Sequence, residues 1–70
     1  MKKISVIIAN QHQTSITLEE EFFDALTFIA KQKSSTINKL VTEIDSTKDI
    51  SNLSSAIRVY ILKYFQEQSK

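Results

Sequence analysis

Gln13, Ser15 and Thr17 stand at alternate positions in the stretch "HQTSITL". On a β-strand, alternate positions share one face, so these polar side chains line up while Thr14, Ile16 and Leu18 take the other face. An amide and two hydroxyls in a row suit hydrogen-bond recognition rather than covalent chemistry. A Gln side chain can make a bidentate pair with adenine, and Ser or Thr can serve either kind of base. The plainer alternative is the solvated face that every half-buried strand carries. A two-stranded antiparallel ribbon fits the major groove of DNA, so base reading requires a second strand.

The other reactive residue types lack the company that catalysis needs. His12 is the single histidine, and there is no Cys. A His-centred metal site would have no further ligands near it in sequence, so His12 reads as a polar strand or turn residue. Glu19, Glu20 and Glu21 are adjacent on an expected helix start. Neighbouring helix residues point in different directions, so they suit the positive end of a helix dipole better than a cation site. The chain has no Gly, and therefore no Gly-rich phosphate loop. No nucleophile–base pair is apparent. The expectation is a protein that is not an enzyme and needs no cofactor and no metal.

These residues must be positioned by a small set of elements. Ile4–Ala9, "ISVIIA", is β-branched and apolar, and residues 4–9 could form an extra strand. Asn10 to Gln13 is a polar break. A ribbon strand is expected over 13–18. A first helix over 19–33 carries Phe22, Leu26, Ile29 and Ala30 at helical spacing, with Lys31 and Lys33 in its last turn. Ser35 or Thr36 caps a second helix over 36–46, with Ile37, Leu40, Val41 and Ile44 as its apolar stripe. "DSTKD" ends it. Ser51 or Asn52 caps a third helix over 52–66, apolar on more than one side, and Gln66–Lys70 should fray. The expected core is Ile16, Leu18, Phe22, Leu26, Ile29, Leu40, Ile44, Leu53, Ile57 and Ile61.

Length and composition bound the answer further. A chain of 70 residues is one domain, 1–70, with a marginal core. Disulfides are excluded, which leaves a second subunit as the natural source of extra burial. One strand without a partner and a third helix with excess apolar surface argue for the same thing, a homodimer. The start "MKKISVIIANQ" imitates a signal peptide, but its apolar run is short and polar residues follow it. Nothing approaches the roughly 20 apolar residues of a membrane span. The expected location is the cytoplasm. The net charge of +1 gives little non-specific pull on DNA, which comes mainly from Lys and Arg at phosphates.

A polar alternating strand followed by helices resembles the ribbon-helix-helix family, to which the DNA-reading β-ribbon proteins MetJ and Arc belong. The stretches "HQTSITLEEEFFDAL", "INKLVTEID" and "NLSSAIRVYILKYF" are similar to a bacterial subgroup of short ribbon-helix-helix-domain proteins, over roughly residues 4 to 66. "NLSSAIR" is the most specific part, because simpler members end at the second helix. The resemblance implies a mainly α fold with a short N-terminal strand. It implies an intertwined homodimer with an intermolecular antiparallel β-ribbon, and an additional third helix. The implied function is sequence-specific binding of double-stranded DNA, as a transcriptional regulator. Inward strand positions then fall on Thr14, Ile16 and Leu18, and base contacts on Gln13, Ser15 and Thr17. Phosphate contacts fall on the backbone amides at Thr36, Ile37 and Asn38, a helix N-terminus suited to an anion, with Lys39 or Lys33 nearby.

The chain departs from that pattern. Gln13 stands where the subgroup usually has Arg, which removes a strong guanine or phosphate contact. Ser34 stands near a usual Gly, and the polar stretch before His12 is one residue longer. The sequence leaves open whether Ile4–Ala9 pairs with Thr14–Leu18 as a hairpin, which would widen the ribbon. Arg58, in "NLSSAIR", points to an ion pair with Glu43 or Asp45; the alternative is an exposed Arg whose stem lies on the core. A second functional class is a dimeric protein-interaction module without DNA reading, such as an antitoxin-like partner. Antitoxins of this fold usually carry a disordered tail, whereas this chain carries an apolar third helix.

Overall fold

The computed structural model describes residues 1–8, 12–47 and 52–68. Two strands come first, β1 (Lys2–Ile8) and β2 (His12–Leu18), then three helices, α1 (Glu20–Gln32), α2 (Ile37–Thr47) and α3 (Leu53–Gln68). The order is a ribbon followed by helices, as expected. Ala9, Asn10, Gln11 and Ser51, and the residues of "DSTKD" from Lys48 on, lie outside the described residues, as do the last two positions of the expected fraying end.

The partner that β2 lacks in the sequence reading is β1 of the same chain. The two strands pair antiparallel, with Ile4 opposite Ile16, Ser5 opposite Ser15 and Ile7 opposite Gln13. The hairpin left open by the sequence is therefore the arrangement in the structure. Even-numbered residues face the helices: Val6, Ile16 and Leu18 are buried, and Ile4 and Ile8 pack against them. Odd-numbered residues face solvent. Even Ile7, in an apolar run, is 53% exposed. The strand periodicity wins over the hydrophobicity of the run because only one face of the sheet has helices to pack on.

Helix ends follow from side chains placed to satisfy free backbone groups. Glu20 and Glu21 occupy the first turn of α1 and Lys31 its last, each favourable with the helix dipole. α1 ends where Ser34 adopts a left-handed conformation, φ 52°. The Ser35 N–H then donates to the Ala30 carbonyl at 2.8 Å, and the Ser34 N–H to the Lys31 carbonyl at 3.1 Å. This pair of bonds is a Schellman closure. Of the two hydroxyls that could cap α2, Thr36 does so: its Oγ1 accepts from the Lys39 N–H at 3.1 Å. α3 is capped by Asn52, whose Oδ1 accepts from the Ser55 N–H at 3.0 Å.

The core sits between the hairpin and the three helices. Ile16, Leu18, Leu26, Ile29, Leu40, Ile44, Ile57 and Ile61 are buried as the sequence reading holds, joined by Val6, Ala30, Val41 and Ala56. Two expected core residues are corrected. Phe22 and Leu53 are only partly buried. Phe22 lines an open groove between α1 and α3, and Leu53, in the first turn of α3, borders a polar cleft with Ile8 and Thr14. α3 buries Ala56, Ile57 and Ile61 but leaves Val59, Leu62 and Phe65 exposed. No helix among the described residues is long and apolar enough to cross a membrane.

Candidate nucleic-acid interface

The solvent face of the hairpin follows directly from its register. Lys3 lies opposite Thr17, Ser5 opposite Ser15, and Ile7 opposite Gln13. All six side chains are exposed. The structure thus brings Gln13, Ser15 and Thr17 together on one face and adds three residues from β1 that the sequence reading missed. Lys3 and Ser5 carried a signal, since they alternate with Ile4 and Val6. The signal is interrupted by Ile7, which makes the run look buried on both sides. The composite face holds one ammonium, three hydroxyls, one carboxamide and one aliphatic side chain. Such a set can donate to and accept from base edges, and Ile7 can contact a thymine methyl.

Both outer edges of the hairpin are engaged by helices. On β1, the Ile7 N–H donates to Asn38 Oδ1 at 2.8 Å, and Asn38 Nδ2 donates to the Ile7 carbonyl at 2.7 Å. The Thr42 hydroxyl also donates to that carbonyl, at 3.3 Å. On β2, the Thr17 N–H donates to Ser54 Oγ at 3.4 Å and Arg58 donates to the Thr17 carbonyl at 3.4 Å. Antiparallel ladders alternate the direction of their backbone groups. The outward groups therefore belong to Lys3, Ser5 and Ile7 on one edge and to Gln13, Ser15 and Thr17 on the other.

The Asn38 bridge fixes the start of α2 beside the ribbon. The first intrahelical bond of α2 runs from the Leu40 N–H to the Thr36 carbonyl at 2.9 Å, and the Lys39 N–H is taken by the Thr36 cap. The amides of Ile37 and Asn38 precede these bonds and are not used within the helix. No acidic residue lies in the first turn of α2, so its positive end is not offset locally. Lys39 is exposed next to it. Lys33 is held differently. Its ammonium donates to the Tyr60 hydroxyl at 2.7 Å and lies 5.4 Å from that ring's centre. The hydrogen bond to Tyr60 raises its pKa above the usual lysine value. The structure therefore ties Lys33 to α3, while Thr36, Ile37, Asn38 and Lys39 stay together at the helix start.

The ion pair of Arg58 differs from the sequence expectation of Glu43 or Asp45. Arg58 Nε donates to Glu19 Oε1 at 2.9 Å, and the guanidinium lies 5.9 Å from the Phe22 ring centre. Glu19 precedes α1, 39 residues away in sequence, and only the packing of α3 across the end of β2 brings the two together. A hydrogen bond from its own backbone N–H, and then the Arg58 guanidinium, hold the Glu19 carboxyl below the usual carboxylate range. Among the described residues no cluster of His, Asp or Glu could hold a metal ion.

A family model described as a ribbon-helix-helix domain matches residues 1–65. No curated protein and no solved structure matches the chain.

Proposed function

The chain belongs to the ribbon-helix-helix domain family, and we propose on that premise that it is a sequence-specific DNA-binding protein, a transcriptional regulator that places its β-hairpin in the major groove. Domains of this family are typically DNA-binding modules rather than enzymes, and they generally dimerise. The observation that carries the reading is the solvent face of the hairpin. Two paired strands are the width that a major groove admits, and this face is polar in the positions that would meet base edges. Gln13, Ser15 and Thr17 make base contacts, with Lys3 and Ser5 beside them. The amides at Thr36, Ile37 and Asn38 take a phosphate, with Lys39 adding charge and Lys33 at the flank.

A homodimer then reads two half-sites related by a two-fold axis. The protein acts on double-stranded DNA in the cytoplasm. With a net charge of +1, non-specific binding is weak, and the ribbon supplies most of the discrimination. Selection from random duplexes, at low and at moderate salt, tests this. Enrichment of a symmetric pair of half-sites is the expected result. If no sequence is enriched and no binding appears even at low salt, the ribbon is not a reader, and the dimeric protein-interaction module becomes the function.

A further inference from the structure

We propose that Ile7 and Gln13 act as one unit specific for an A·T base pair, Gln13 taking the adenine edge and Ile7 the thymine methyl. This rests on the reading of the hairpin as a major-groove element and names the base pair that one end of it selects. Of the six side chains on the outer face of the hairpin, Ile7 alone has no polar group, and it is 53% exposed. A single exposed apolar residue is common on protein surfaces. Three features set Ile7 apart.

The first is its neighbour. Ile7 lies opposite Gln13. Its backbone N–H and carbonyl both bond to Asn38, so they point away from β2, and the two residues form a non-hydrogen-bonded pair. In such pairs the Cα atoms stand about 4.5 Å apart and the side chains are closest. An aliphatic group and a carboxamide therefore leave the ribbon side by side. The second is how firmly Ile7 is held. Thr42 adds a bond to the same carbonyl at 3.3 Å, and β-branching restricts the side-chain torsion. The aliphatic group is fixed before any partner arrives, so a contact costs little further ordering. The third is charge. Neither side chain carries one, and Lys3 stands four residues along β1, about 13 Å away on an extended strand. An uncharged end of the face suits base edges rather than phosphates.

An A·T pair presents adenine N7 and N6–H and then thymine O4 and a methyl to the major groove. The Gln13 carboxamide donates to N7 and accepts from N6–H. The methyl projects from the opposite base, where Ile7 meets it from the opposite strand of the hairpin. A T·A pair reverses that order and sets the carboxamide against the methyl, with its polar groups unpaired. G·C and C·G pairs offer no methyl at all. The unit thus tells A·T from the other three pairs.

The test uses the duplex enriched by selection from random sequences, with each thymine in turn replaced by deoxyuridine, which lacks only the methyl. One thymine per half-site should be sensitive, its replacement weakening wild-type binding about fourfold, the worth of one buried methyl group. That thymine should pair with the adenine whose preference Gln13→Ala relaxes. Ile7→Ala should weaken binding to the unmodified duplex by about fourfold or more, with an unchanged salt slope, since no phosphate contact is lost. Its sensitivity to that deoxyuridine should vanish. The Asn38 bonds are to the Ile7 backbone, so the variant keeps them, and the base replacement alters no residue and is independent of folding. Binding that is indifferent to every deoxyuridine overturns the proposal, as does a sensitivity that persists in folded Ile7→Ala or that falls on a pair Gln13 does not read. An enriched duplex without deoxyuridine sensitivity sinks this unit alone. A selection that enriches nothing sinks the groove-reading hairpin and this unit with it.

Discussion

The Asn38 side chain bonds both backbone groups of Ile7, accepting from its N–H at 2.8 Å and donating to its carbonyl at 2.7 Å. A carboxamide has the same donor and acceptor as a peptide unit, so Asn38 completes the edge of β1 as a third strand would. It also joins that edge to the first turn of α2. One side chain thus closes the ribbon edge at Ile7 and sets the helix start beside its reading face.

Asn38→Ala should therefore lower stability and open an edge. Each lost hydrogen bond is worth about 1 kcal/mol net, and water reaches the freed groups, so a loss of about 1–2 kcal/mol is expected in urea unfolding. The exposed edge should also promote strand pairing between chains, seen as light scattering that grows with concentration. Unchanged stability would mean that the bridge adds nothing over water.

Ser34 invites a stabilising change. Its φ of 52° lies where a Cβ crowds the backbone and glycine does not. The Schellman bonds at Ala30 and Lys31 hold it there. Ser34→Gly should raise stability by about 0.5–1 kcal/mol, and Ser34→Val should lower it by more. Chemical denaturation of the two variants against the parent measures both signs.

The Glu19–Arg58 pair gives a pH dependence with a defined sign. The folded carboxyl titrates below its ordinary value of 4.5. Its contribution is thus present at pH above that value and is lost as pH falls through the folded pKa. The stability gap between wild type and Glu19→Gln should be constant near neutral pH and close in acid. A double-mutant cycle should show coupling of Arg58→Met with Glu19→Gln, and additivity of Arg58→Met with Glu43→Gln.

What could be read from the sequence follows from how local each signal is. β2 was legible because Gln13, Ser15 and Thr17 alternate with Ile16 and Leu18 over a few residues. The stripes of α1 and α2 were legible for the same reason. The pairing of β1 was not, because "KKISVII" hides a period of two behind Ile7, and strand partners are a tertiary choice. Arg58 found its acid at Glu19 because α3 crosses the end of β2, a contact that spacing along the chain does not encode. Of the candidate site, the base-facing trio of β2 was visible early, while Lys3 and Ser5 appeared only with the register. Lys33 looked free for phosphate, and its capture by Tyr60 depends on how α1 and α3 pack.

The last prediction separates the two kinds of DNA contact. Gln13 lies on the reading face, so Gln13→Ala should cost about 1–3 kcal/mol on the selected site and relax the base preference at one position of each half-site. Lys39 lies at the start of α2, where its charge acts on the backbone of any duplex. Lys39→Ala should weaken binding to all sequences alike and lower the slope of affinity against salt by about one. Lys3 tests the register. If β1 shares the groove with β2, Lys3→Ala should alter base preference or the salt slope, because its side chain stands across from Thr17 on the same face. All three side chains are exposed, so melting temperatures should hardly move, and a binding loss cannot be assigned to unfolding. An inert Lys3 beside a sensitive Gln13 would mean that β1 does not share the groove with β2.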